Sequence, residues 1–213
     1  MPTTPEHSHS PSGDRLVRRT TWHIDPTTSR VEFTVRKRWF VVPLPVTGRF
    51  SDVQGVITLD EQDPTTAQAS ITIGASSIDT GNAKRDTHLR QEDFFHIDTH
   101  PAITFHSRRI EPSDRTASRY TVVGDLTVRG VTREVTLDAH YTAPHGSGDN
   151  RRLKLTLTTT LNRRDFGLMW NNLLLSVAGE LTVNHRQTRP GMCTAARVRP
   201  VRFQRMASRH RAT

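Results

Sequence analysis

A two-residue alternation of apolar and polar side chains recurs along the chain from Val31 to Val183, and no other feature constrains the fold as tightly. Val31, Phe33 and Val35 alternate with Glu32, Thr34 and Arg36. Ile71 and Ile73 share one face of "AQASITIGASSID". In "AITFHSRRI", Ile103 and Phe105 share a face, with Thr104 and His106 opposite. Val122, Gly124, Leu126 and Val128 repeat the pattern, as do Val135, Leu137, Ala139 and Tyr141. Leu153, Leu155, Leu157 and Leu161, then Leu175, Val177, Leu181 and Val183, complete it. Successive side chains of a strand point to opposite faces, so each segment reads as a strand with one apolar and one wet face. "FSDVQGVITL" (Phe50–Leu59) reads as a further strand, with Gly55 predicting a bend or bulge inside it. Arg129-Gly130 sits between two strands and predicts a tight hairpin, because Gly accepts positive φ.

The expected class is all-β, with about eight strands and one short helical segment near residues 82–95. Long antiparallel strands with one wet face close most simply into a barrel, which removes exposed edges. A two-sheet sandwich is the competing architecture. An eight-stranded barrel leaves an interior wide enough for side chains or one small ligand.

Composition explains where the alternation stops. Hydrophobic residues make up only 33% of 213, too few if the whole chain joined one core. Residues 1–20 are rich in Pro, Ser, Thr and His without periodicity and read as disordered. Residues 186–213 hold eight arginines and no acid, so most of the net charge of +9 belongs to this tail. It too reads as disordered, and any binding of nucleic acid or anionic lipid through it would be salt-sensitive and unspecific. The folded domain is therefore expected over residues 21–185, where acids and bases balance and no basic face is indicated. The single cysteine, Cys193, permits neither an intrachain disulfide nor a cysteine-based zinc site. No apolar run has the length of a signal peptide or a membrane span, so a soluble cytoplasmic protein is expected.

The polar punctuation between strands carries a resemblance. "WHIDPTTSRVEFTVRK", "VTGRFSDVQGVITLD", "SSIDTGNAKRDTHLRQEDFFHIDTHPAITFHS", "GDLTVRGVTREVTL" and "LNRRDFGL" resemble the YceI-like family in order and spacing, over roughly Thr21 to His185. The resemblance implies a lipocalin-like antiparallel barrel around a long apolar pocket that binds polyisoprenoid or other amphiphilic lipids. It also implies a homodimer. Many members are exported, and this chain departs from those in its N-terminus. It departs again at Trp39–Pro45, "WFVVPLP", which is more apolar and proline-rich than that loop would be expected to be.

Several residues invite chemistry. Asp86 and His88 in "DTHL" could meet a ligand head group or act as a base; the bland alternative is a clasp on a turn. His88, His96, His100 and His106 match no zinc spacing, and Pro101 argues against a helix carrying His96 and His100 together. No metal or cofactor is expected. "NRRDFG" contains the Asp-Phe-Gly of kinases without their other motifs, so that reading is rejected. Arg163 there either pairs with Asp165 at the barrel rim or meets an anionic head group. "WFVVPLP" and "FGLMWNNLLL" are apolar loops, as a cover over an apolar ligand would be; a dimer contact is the rival explanation.

The pocket expected from these readings is lined by Phe33, Val35, Trp39, Phe40, Phe50, Ile71, Ile73, Ile78, Asp86, His88, Leu89, Phe94, Phe95, Phe105, Leu126, Arg163, Phe166, Leu168, Met169 and Trp170. Three functions stay open. The first is non-enzymatic carriage or sequestration of a long-chain isoprenoid or similar lipid. The second is an enzyme acting on such a lipid. The third is an interaction protein with a self-filled barrel and a basic tail.

Overall fold

The alternating segments pair as their periodicity requires. A computed structural model of the protein describes residues 19–36, 45–113, 118–142, 144–168 and 174–185. Its strands are β1 (Arg19–Ile24), β2 (Arg30–Arg36), β3 (Pro45–Phe50), β4 (Val53–Asp60), β5 (Asp63–Gly74), β6 (Ile78–Asp79), β7 (Ala102–Pro112), β8 (Arg119–Val128), β9 (Val131–Tyr141), β10 (Arg152–Asn162) and β11 (Leu174–His185). One helix, α1 (Ala83–Arg90), lies between β6 and β7. Eight strands form a closed antiparallel ring in the order β1-β4-β5-β7-β8-β9-β10-β11, and β11 returns to β1 through Trp22↔His185 and Ile24↔Val183. The architecture is thus the closed barrel, not the sandwich.

Three ring strands bend and continue. β2 follows β1 and also pairs with β11; β3 precedes β4 and pairs with β2; β6 follows β5 and pairs with β3. These extensions raise the wall on one side of one barrel end. No pairing joins β6 to β7 among the described residues, and α1 with the turn after it supplies the wall there.

Local chemistry sets the details. The hairpin at Arg129-Gly130 has φ of 50° and 72°, the left-handed pair that a two-residue turn needs to follow the strand twist. Gly55 does not mark a bulge. The β4–β5 register runs unbroken from Val53 to Thr58, and the shift falls later, between Thr58 and Asp60. A side chain at 55 would overlap the Ser70 carbonyl and crowd Ile24, so close packing explains this glycine. A second register shift, between Ser107 and Arg109, moves the inward position of β7 from Phe105 to Ile110. β1 opens at Arg19, inside the segment read as disordered, because its partner is Asp60 on β4. The helical segment is shorter than 82–95. Asn82 caps it by accepting from the Arg85 N–H, and Gln91 is already extended with ψ 173°. The tail of eight arginines, 186–213, lies outside the described residues. No helix among them is long and apolar enough to cross a membrane.

At the barrel end away from α1, Arg151 forms two hydrogen bonds of 2.7 Å to Glu61 and stacks 5.3 Å over the Trp22 ring. The Arg151 hydrogen bond holds the Glu61 carboxyl below its ordinary value near 4.5. A carboxyl depressed by folding adds stability above its unfolded value, and that stability disappears as pH falls through the folded value. Glu61→Gln should therefore flatten the loss of stability on acidifying below pH ~4.5, read from urea midpoints across an acid series. An unchanged acid limb would show that the pair is too well hydrated to matter.

Candidate functional site

The inward faces do not fill the barrel. A cavity of about 320 Å³ lies at the end carrying β2, β3, β6 and α1. Most of its wall is apolar: Phe33, Val35, Phe50, Ile73, Ile78, Leu89, Phe94, Phe95, Leu126, Phe166 and Leu168 all line it. Phe33, Phe50 and Phe95 form a chain of ring contacts, 5.6 Å and 5.7 Å between centroids. Among the described residues the polar lining groups are Thr80, Arg85, His88 and Arg163, and none of these is acidic.

Each polar group is positioned by its own segment. Asp86, buried on α1, accepts from the backbone N–H of Thr80 at 3.0 Å and from its hydroxyl. Arg85 donates from Nε to the Thr80 hydroxyl at 2.7 Å and from Nη2 to the Thr80 carbonyl at 2.8 Å. Arg90 donates to the carbonyls of Ser76 and Ile78, so α1 is fastened along the β6 edge. His88 bonds Asp93 through Nε2 at 2.6 Å and packs edge-on against Phe94 at 5.2 Å. That orients the imidazole at the cavity wall, where Thr80 supplies a hydroxyl.

Arg163 opens a short 3-10 turn, Arg163–Phe166, that ends at Gly167 with φ 73°. Burial pushes its guanidinium below its ordinary value. It remains a cation at neutral pH, because guanidinium does not deprotonate in proteins. Asp165 lies on the exposed side of the turn. Arg129 ties this turn to the segment after α1, donating to the carbonyls of Gly167 at 3.1 Å and Glu92 at 2.7 Å.

The remaining expected residues fall elsewhere. Ile71 and Phe105 line a second cavity of about 230 Å³ at the opposite end, with Trp22, Tyr120, Tyr141 and Arg151. Asp86 is absent from both linings, its carboxylate engaged by Thr80. Trp39, Phe40, Met169 and Trp170 lie outside the described residues. Sequence reasoning missed Val31, Val46, Thr80, Arg85, Ile103, Val128, Leu161 and Val177 in the first cavity. Six of these are inward residues of strands, legible as apolar positions in the alternation. Arg85 and Thr80 carried no such signal. Among the described residues no three His, Cys, Asp or Glu side chains gather closely enough to hold a metal ion.

Comparison with known proteins gives the same architecture. A UPF0312 protein of Pseudomonas aeruginosa is 35% identical over 144 residues, covering 62% of this chain and 72% of its own. The Campylobacter jejuni YceI protein superposes with a TM-score of 0.62 at 26% identity, over 71% of this chain and 91% of that one. A polyisoprenoid binding domain from Saccharophagus degradans superposes with a TM-score of 0.56 at 18% identity, over 78% and 99%. The YceI-like domain model matches residues 22–187, and with the closed barrel this places the chain in the YceI-like family.

Proposed function

We propose that the protein binds a long-chain isoprenoid or similar amphiphilic lipid in the first cavity and carries or sequesters it without changing it chemically. The observation that carries this reading is a large apolar cavity whose polar lining groups are neutral or cationic. Each buried methylene contributes ~0.8 kcal/mol, so a chain laid against Phe33, Phe50, Phe95 and Ile78 gains affinity from length alone. Arg85, His88 and Arg163 supply donors for a polar or anionic head. A barrel filled by its own side chains would leave no such room. The Saccharophagus degradans domain of the same fold is described as polyisoprenoid binding, the ligand class assigned here.

The test is thermal unfolding with and without added polyprenols, isoprenoid quinones and long-chain fatty acids, alongside native mass spectrometry of the gently purified protein. At a ligand concentration 100 times Kd, stabilisation is about 2.7 kcal/mol, which should raise the melting midpoint by roughly 5–10 °C. A ligand-free mass together with an unmoved midpoint for every compound would defeat the proposal.

A further inference from the structure

The two cavities share no lining residue, although both lie inside one barrel. The division falls between residues of the same inward face. Ile73 lines the first cavity and Ile71 the second; Ile103 and Phe105, Leu126 and Val122, and Leu161 and Leu157 divide the same way. Phe105 sits on the boundary. Its cross-strand partner on β5 is Ile71, of the second cavity, and its partner on β8 is Leu126, of the first. Its ring covers Gly124, the one inward position of β8 without a side chain: a Cβ at 124 would lie 2.6 Å from Phe105 Cζ. One more buried residue at this level, Val135, lines neither cavity. Val135 is paired with Gly124, and on β11 the boundary falls at Gly179, paired with Val31 of the first cavity and Leu157 of the second.

We infer that Phe105, with its ring laid across Gly124, is a partition that sets the length of apolar chain the first cavity accepts. The inference rests on the lipid-binding reading above. A chain entering from the α1 end meets the Phe105 ring before it can reach the second cavity. Removing the ring joins the two spaces and enlarges the room open to one chain by more than half. A side chain at 124 would overlap both the ring and the His106 carbonyl, so Gly124 lets the ring and the β7 backbone lie this close.

The experiment compares wild type, Phe105→Ala and the milder Phe105→Leu in binding a graded series: geraniol, farnesol, geranylgeraniol and longer prenols. Affinity for wild type is expected to rise with each isoprene unit and then level off. In Phe105→Ala the rise should continue past that limit, with roughly tenfold or more gained for the first unit beyond it. Phe105→Leu should extend the limit less, and it decides the matter if the alanine variant does not fold. The same length limit in wild type and a folded variant overturns the partition and leaves lipid binding intact. Binding of no prenol by any of the proteins overturns both.

Discussion

Trp22→Ala is expected to lower the unfolding free energy by about 3–5 kcal/mol, toward the top of what core truncations cost. Trp22 is fully buried at the seam where β1 meets β11, paired in register with His185. Its ring takes an edge contact from His185 at 5.3 Å and the Arg151 guanidinium at 5.3 Å. Its Nε1 donates to the Thr20 hydroxyl at 3.1 Å, which in turn donates to the Leu59 carbonyl on β4. One side chain therefore holds three partners around the closure. The cost should be high because the site cannot collapse: Trp22 already borders a cavity of about 230 Å³, and the hydrogen-bonded ring holds the wall open. For a domain of this size the melting midpoint should fall on the order of 10 °C. Trp22→Phe keeps a ring for Arg151 and loses the indole donor, so it should recover much of the loss. A midpoint unmoved in Trp22→Ala would mean that the seam is held by backbone pairing alone.

The alternation marks which side chains point inward, and it does so because a strand has a period of two. It says nothing of the level at which an inward side chain lies. Ile71 and Ile73 are indistinguishable by pattern and were expected in one pocket, yet they line different cavities. The difference is two residues along a tilted strand, ~7 Å, and it depends on register around the whole ring. The bends that separate β1 from β2 and β3 from β4 were hidden for a related reason. Each flanking segment alternates on its own, but the inward parity changes at the break, from Trp22 and Ile24 to Val31 and Phe33 and from Phe50 to Val53, and β1 and β2 meet β11 at different places.

Polar residues were legible in kind more than in place. The dense stretch from Arg85 to Pro101 reads equally well as a site and as a clasp, and the structure divides it residue by residue. Asp86 serves the clasp, tying α1 to Thr80, whereas His88, Leu89, Phe94 and Phe95 border the first cavity. Arg85 does both, which no spacing rule predicts, because its partner Thr80 lies five residues back across the turn that precedes the helix.

Arg163→Gln is expected to separate head-group recognition from chain binding. On the lipid-binding reading it should weaken an anionic ligand such as farnesyl pyrophosphate by about 10–100-fold. That is the loss of one charge-assisted hydrogen bond, about 1.5–3 kcal/mol. The corresponding alcohol, farnesol, should bind as before, because Phe33, Phe50, Ile78 and Phe95 are untouched. Burial already disfavours the charged guanidinium, and a phosphate brought into the same apolar surroundings would restore what desolvation took from it. Glutamine keeps hydrogen-bonding capacity and much of the length, so the comparison isolates charge. Direct titration of both ligands into both proteins checks it, with melting curves as the control for folding. Equal loss for pyrophosphate and alcohol would assign Arg163 to the wall of the cavity, and no loss for either would place the head group near Arg85 and His88, at the α1 side of the same cavity.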